Sequence, residues 1–146
     1  MRRSLFAALL GLSAMTATPA GDAAHVPPPG SPERAAILDA ARVPVARELG
    51  RPVRFVVKRL QVLDGWAFLH ASMLGAGGQP VDYRGTRYQE AAARGHKSDR
   101  YAALLRQRQG AWQVLAYSVG PTDMAWADWN TRYAAPVALF PGLDGE

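Results

Sequence analysis

Three histidines are the first side chains to test for chemistry, because histidine is the commonest metal ligand and titrates near neutral pH. They lie at His25, His70 and His96. No two of them have the spacing that places a pair of ligands on one helix face, and the chain contains no cysteine to supply a thiolate. We therefore expect neither a metal site nor a cofactor.

Motifs of catalysis are also missing around the other reactive side chains. The serines lack the glycine-flanked turn of hydrolase nucleophiles, and a turn or a helix cap explains each aspartate equally well. The side chains best suited to acid–base chemistry are His70, Tyr117 and Asp123, although a half-buried strand histidine is the favoured interpretation of His70. Whether the protein is an enzyme stays open, and the sequence favours a non-enzymatic function.

Large aromatic side chains are concentrated near the C-terminus. Trp126, Trp129 and Tyr133 follow a Gly120-Pro121 break at i, i+3 and i+7, which places them on one side of a helix. Aromatic residues at this spacing usually pack, so the favoured interpretation is a lid over the core. The alternative is an aromatic wall that binds a ligand or partner, with Asp123 as the polar group at its rim.

One helix and two hairpins must position these residues. Ser31 as N-cap, a proline at the first helical position and Gly50 as the stop predict a helix over residues 32–49. Its apolar residues fall on one side, so that side must be buried. Pro44 lacks an amide proton, and we expect it to kink the helix or divide it in two.

The first hairpin is predicted by Asp64-Gly65, because both central residues of the favoured turn need positive φ. A two-residue turn places Arg59 opposite His70, and a change in apolar parity near Lys58 predicts a bulge. A short helix is expected over 86–94. The second hairpin joins strands at 101–108 and 111–119.

These elements predict an α+β domain in which the N-terminal helix packs on a curved antiparallel sheet of about four strands. We expect this single domain to span residues 31–141, with a proline-rich linker at 21–30 and a tail at 142–146. The linker is predicted to be extended and to donate no hydrogen bond to a sheet, because Pro27, Pro28 and Pro29 interrupt it.

The first twenty residues have the order of a secretory signal peptide. Arg2 and Arg3 precede an apolar run from Leu5 to Met15, and small residues end at Ala20. The run is shorter than the ~20 apolar residues that cross a bilayer. We expect cleavage at residue 20, or at residue 23, and a periplasmic or secreted product of about 125 residues without a transmembrane segment.

Charge gives a mild indication of partners. The net charge is +5, and without Arg2 and Arg3 the 17 basic side chains become 15 against 12 acidic ones, or +3. The basic residues are scattered along the sequence, so a solvated surface is the favoured interpretation, with weak attraction to anionic lipid or cell-wall polymer as the alternative. Nucleic acid is not expected as a partner.

Three segments carry a resemblance to a known family: Ser31 to Asp39, Gly65 to Phe68, and Gly120 to Trp129. They resemble a family of exported bacterial proteins of unknown function, which implies no activity and no catalytic residues. The order of elements is also similar to cystatin-like and nuclear transport factor 2-like folds, in which a sheet wraps a helix as a cone. That likeness is one of topology and implies no function.

Two functional hypotheses follow. The first is a non-enzymatic periplasmic module that binds a protein or an envelope component. The second is a small-molecule binder, hydrolase or isomerase with its site in the cone between sheet and helix, using His70, Tyr117 or Asp123. A deep polar cavity would favour the second, whereas a filled core with an exposed apolar patch would favour the first.

Overall fold

A computed structural model describes residues 24–142. The predicted signal segment 1–20 with both cleavage sites, and residues 143–146 of the predicted tail, lie outside this range. The elements in chain order are α1 Pro32–Leu49, β1 Val53–Leu63, β2 Trp66–Gly75, α2 Gln89–Ala93, β3 Arg100–Arg108, β4 Ala111–Val119, α3 Trp129–Arg132 and a 3₁₀ turn Val137–Leu139. The four strands form one antiparallel sheet in the order β1-β2-β3-β4, which is not closed into a barrel. The predicted α+β class is confirmed.

Helix α1 has the predicted bounds. The Ser31 hydroxyl accepts a hydrogen bond from the Arg34 amide at 3.2 Å, and Gly50 ends the helix with φ of 66°. Pro44 does not divide the helix, so of the two expected effects of this proline only a kink stays a prediction. The helix continues through Pro44, which is itself buried. The Tyr101 hydroxyl donates to the Ala41 carbonyl in the preceding turn at 2.9 Å and fastens this part of the helix to the sheet.

The first hairpin is confirmed residue by residue. Asp64 and Gly65 have φ of 50° and 75°, so the turn is the one that the sequence requires. Arg59 pairs with His70, and the register shifts between Val57 and Arg59. Lys58 is therefore the extra residue of the predicted bulge.

The second hairpin is also confirmed, with one irregularity that the sequence did not indicate. Gln109 and Gly110 form the turn with φ of 52° and 77°. The register shifts between Leu104 and Leu105, which leaves Leu115 as an extra residue in β4. Helix α2 is shorter than the predicted 86–94, because the Thr86 hydroxyl accepts from the Tyr88 amide and holds a turn there.

Each face of the sheet is covered by a different part of the chain. The first face packs on α1, where Ile37, Ala41 and Val45 meet Leu69 and Tyr101, all at 0% exposure. The second face carries Phe68, on which Trp126, Trp129 and Phe140 pack. We call residues 121–142 the C-terminal cover.

The C-terminal cover is mostly turns. Only Trp129–Arg132 is α-helical, so the expectation that Trp126, Trp129 and Tyr133 lie on one continuous helix is wrong. The two tryptophans are nevertheless 6% and 5% exposed. Burial against Phe68 explains this arrangement, because the indoles reach the sheet from successive turns.

The proline-rich segment before α1 packs on the domain. The His25 amide donates to the Val62 carbonyl, and the Val62 amide donates to the His25 carbonyl, both at 2.9 Å. The expectation that this segment donates to no sheet is wrong, because the pairing uses the residue that precedes the prolines. Pro27 is fully buried, and its carbonyl accepts from Arg34 at 3.1 Å.

Candidate functional site

The sheet carries its charges in an uneven way. The four strands contain no Asp or Glu, whereas β1 and β3 carry six Lys or Arg side chains. Side chains alternate between the faces of a strand, and cross-strand partners share a face. The register therefore places five of the six cations on the second face, which is the face that the C-terminal cover also occupies. The sixth is Lys58, the extra residue of the bulge in β1. The five are Arg54, Arg59, Arg100, Arg106 and Arg108.

The C-terminal cover leaves one part of this face open. We call this part the basic face and define it as Arg54, Lys58, Arg59, His70 and Arg100. Three of the four cations are exposed and Arg59 is half-buried. Among residues 24–142, none of the four forms an ion pair with a carboxylate. Positive charge is thus left without a carboxylate partner on this part of the sheet.

His70 lies at the junction of the basic face and the C-terminal cover. Arg59 is its cross-strand partner, and its ring centroid lies 5.0 Å from that of Trp126. Burial lowers the pKa of His70 below its ordinary 6.5, and the positive charges of Arg100 and Lys58 lower it further. The imidazole is therefore neutral at neutral pH.

Three side chains at this junction have a nitrogen that is buried and has no hydrogen-bond partner. The atoms are Arg59 Nε, His70 Nε2 and Trp126 Nε1. An unsatisfied buried donor costs about 1–3 kcal/mol, and native proteins carry few of them. The three side chains adjoin, since Arg59 is the cross-strand partner of His70 and the Trp126 ring lies against His70. The Arg59 and Trp126 nitrogens are donors, and His70 Nε2 is a donor in one of its two neutral tautomers.

Glu48 forms the opposite kind of cluster at the C-terminal end of α1. Its carboxylate, 14% exposed, accepts hydrogen bonds from Tyr117 at 2.7 Å, from Arg87 at 2.7 Å and from Tyr88. Burial alone would raise the pKa of Glu48, but the hydrogen bonds from Tyr88 and Tyr117 and the charge of Arg87 outweigh it and lower the pKa. This carboxylate is saturated with donors, and it ties α1 to β4 and to the start of α2.

The structure separates two of the three candidate catalytic residues. Tyr117 lies on the first face, where it donates to Glu48, whereas His70 lies on the second face. Asp123 is exposed near the start of the C-terminal cover. The sheet stands between Tyr117 and His70, so these two side chains do not share a site.

The aromatic candidates belong to the junction in different degrees. Trp126 and Trp129 are buried against Phe68, as the packing interpretation requires, and Trp126 alone of the two contacts His70. Tyr133 is half-buried beside them, with the Arg132 guanidinium 5.6 Å from its ring centre. A binding role for the three stays a prediction.

The space between α1 and the sheet is filled with side chains. An open groove of about 370 Å³ lies at its edge, between α1 and β4, and Val43, Pro44, Trp112 and Leu115 line it. Val43 is 60% exposed. Tyr117 reaches this groove, but its hydroxyl is already engaged with Glu48.

Between residues 24 and 142, no three His, Asp or Glu side chains are grouped so that they could hold a metal ion. No helix in that range is long and apolar enough to span a bilayer.

The basic face was not predicted from the sequence. We expected scattered basic residues, and they are scattered along the chain but not in space. The signal that could have revealed the basic face is the alternation of side chains along a strand. In β3, Arg100, Arg106 and Arg108 have the same parity, so their side chains lie on the same face of the sheet. Combining that parity with the correctly predicted Arg59–His70 pair would have joined both strands on one face.

Comparison of the chain with protein-family models, with curated proteins and with solved structures gave no match. The resemblance to exported bacterial proteins and the likeness to cystatin-like folds therefore stay predictions.

Proposed function

We propose that this protein is an exported, non-enzymatic binding module that recognises an anionic component of the cell envelope through the basic face. The observation that carries the proposal is the charge distribution of the sheet: all its charged side chains are cationic, and they gather on or beside one face without carboxylate partners among the described residues. Such a surface attracts anions and orients them on approach.

Several arginines in other parts of the described chain do have carboxylate partners. Elsewhere Arg87 pairs with Glu48, Arg84 with Asp82, and Arg94 with Glu90. The chain therefore contains carboxylates that pair with arginine, but its strands place none beside Arg54, Arg59 or Arg100. An anion from outside the chain would complete the surface.

The alternative hypothesis of an enzyme or small-molecule binder in the cone between sheet and helix receives less support. Ile37, Ala41 and Tyr101 fill this space at 0% exposure. Its edge groove is lined mainly by apolar side chains, and His70 lies on the other side of the sheet. A filled core with exposed apolar residues such as Val43 is the outcome that favours a binding module.

Export is the second part of the proposal, and it is supported by the sequence pattern of residues 1–20. Fractionation of expressing cells, followed by intact-mass measurement, tests it. We expect periplasmic or secreted material that begins at Gly21 or Ala24. An uncut chain recovered only from the cytosol would contradict it.

The binding part is tested by locating where polyanions contact the purified protein. We would titrate ¹⁵N-labelled protein with polyphosphate and, separately, with polyglutamate, and follow the amide and side-chain resonances. We expect shifts concentrated at Arg54, Arg59 and Arg100 with at least one of the two polyanions. These shifts should weaken as salt is raised, because exposed charges are screened.

A matched pair of variants controls for total charge. Arg59→Gln with Arg100→Gln removes two cations from the basic face, whereas Arg42→Gln with Arg94→Gln removes two that already pair with Asp39 and Glu90. Only the first pair should abolish the response. Equal losses in both pairs, or shifts centred on Arg42 or Arg94, would contradict the proposal.

A further inference from the structure

The junction of His70, Arg59 and Trp126 has a more specific geometry than the rest of the basic face. Arg59 reaches it from β1, His70 from β2 and Trp126 from the C-terminal cover above the sheet. The three buried nitrogens without partners thus belong to three different segments. Ser72 follows His70 on the same side of β2 and pairs with Arg100 across β2 and β3.

The charge at the junction decides what kind of acceptor fits. A water molecule could satisfy the neutral groups, but it cannot balance Lys58, Arg59 and Arg100, none of which has a carboxylate partner among residues 24–142. An anion accepts the same hydrogen bonds and also offsets the mutual repulsion of these cations, so it suits the junction better than water does. A carboxylate accepts hydrogen bonds close to one plane, whereas a phosphate presents oxygens in several directions and carries more charge.

We propose that the junction is a phosphate-binding site in which Arg59, His70 and Trp126 contact the phosphate oxygens and Lys58 and Arg100 balance their charge. This inference rests on the proposed function and names the chemistry of its ligand. The phosphate can belong to a soluble molecule or to a lipid headgroup, since both present the same oxygens.

The burial of the three nitrogens has a measurable consequence. Each is shielded from solvent, so a ligand reaches them only when a neighbouring side chain moves. Trp126 lies in contact with His70 and its indole is a fluorophore, so phosphate binding should change its emission. Trp129, which contacts Phe68 but not His70, should be much less affected.

The test is a titration of the purified protein with inorganic phosphate and with acetate at matched ionic strength, followed by tryptophan fluorescence and calorimetry. We expect phosphate to bind at least about tenfold more tightly than acetate. Trp126→Phe removes the indole N–H and keeps an aromatic ring, so it should weaken phosphate binding several-fold. Trp129→Phe is the matched control and should leave the affinity unchanged.

Arg59 and His70 provide the second set of variants. Arg59→Gln and His70→Phe should each weaken phosphate binding several-fold, and a thermal melt of each variant verifies that it is folded. Equal affinity for phosphate and acetate, or phosphate binding that survives Arg59→Gln and Trp126→Phe, would overturn the inference.

The two sources of phosphate are separated by a vesicle arm. Co-sedimentation with phosphatidic acid vesicles, against phosphatidylcholine vesicles, detects headgroup binding. Phosphate binding with no sedimentation supports a soluble ligand, and sedimentation lost in Arg59→Gln supports a headgroup. If neither phosphate nor phosphatidic acid binds, the inference fails, and polyglutamate shifts at Arg54 and Arg100 would still leave the proposed function standing.

Discussion

The Glu48 cluster and the basic face differ in whether their charged side chains find partners within the protein. At Glu48 a single carboxylate receives hydrogen bonds from Tyr88, Tyr117 and Arg87, so its capacity to accept is largely used inside the protein. At the basic face the donors outnumber their acceptors, and Arg59 and His70 each keep a buried nitrogen without a partner. The first region is complete in itself, and the second is the one that we propose a ligand completes.

This difference separates polar residues that are satisfied within the protein from polar residues that are not. Both regions contain side chains with shifted pKa values, since the pKa of Glu48 and that of His70 are both lowered. The causes differ: hydrogen bonds to the charged form act on Glu48, whereas burial and nearby cations act on His70. A shifted pKa therefore identifies a binding site only when its cause leaves a group unsatisfied.

The largest expected effect concerns the C-terminal cover, which borders the basic face. Trp129→Ala removes an indole that is 5% exposed and packed on Phe68, so it should cost about 3–5 kcal/mol of unfolding free energy. Chemical denaturation measures this loss. Met124→Ala is the control in the same segment, because Met124 is 43% exposed. A Trp126 and Trp129 double alanine variant with wild-type melting would contradict the packing assignment.

The next effect tests whether the Glu48 cluster is purely structural. Glu48→Gln replaces an acceptor of three hydrogen bonds by a neutral amide and should lower stability by about 1–3 kcal/mol. Polyanion binding at the basic face should be unchanged, since Glu48 lies at the other face of the sheet. Loss of anion binding in a folded Glu48→Gln variant would show that the Glu48 cluster is not purely structural.

Local signals made the helix and the hairpins predictable. Ser31 and Gly50 mark the ends of α1 through hydrogen bonding and positive φ within one turn of the chain. Asp64-Gly65 determines the register of the first hairpin in the same local way. The parts that the sequence did not predict depend on distant contacts, as in the pairing of His25 with Val62.

The candidate site was only partly predictable for the same reason. Arg59 opposite His70 follows from the turn, but the contact of His70 with Trp126 depends on how the C-terminal cover folds over the sheet. The cover is mostly turns rather than a helix, because burying Trp126 and Trp129 against Phe68 outweighs helical periodicity. Which cations remain uncovered is decided by that packing alone.

A smaller effect distinguishes the two regions by pH. Below its ordinary pKa of 6.5, His70 binds a proton in the unfolded chain but resists it in the folded protein. Stability should therefore fall as the pH drops from 6.5 towards the lowered pKa of His70. Glu48 acts at lower pH, because its contribution is present above 4.5 and is lost as the pH falls through its lowered pKa.

Denaturant midpoints measured across this range check the assignment. His70→Gln should remove the pH dependence of stability just below pH 6.5 and leave the dependence below pH 4.5 unchanged. Glu48→Gln should remove the dependence below pH 4.5 and leave the one just below pH 6.5 unchanged. An unchanged dependence just below pH 6.5 in His70→Gln would show that His70 is not the group that titrates there.

The central claim is that the basic face lacks an anion, and placing one there within the chain tests it most directly. Ser72 pairs with Arg100 and is the next residue after His70 on the same face of β2, two register positions from the Arg59–His70 pair. Ser72→Glu should raise stability by about 0.2–1 kcal/mol through a cross-strand charge pair and should abolish polyanion binding, while Gln107→Glu at the exposed end of β3 should leave that binding unchanged. A Ser72→Glu variant that is less stable than the wild type and still binds polyanions at the basic face would contradict the account.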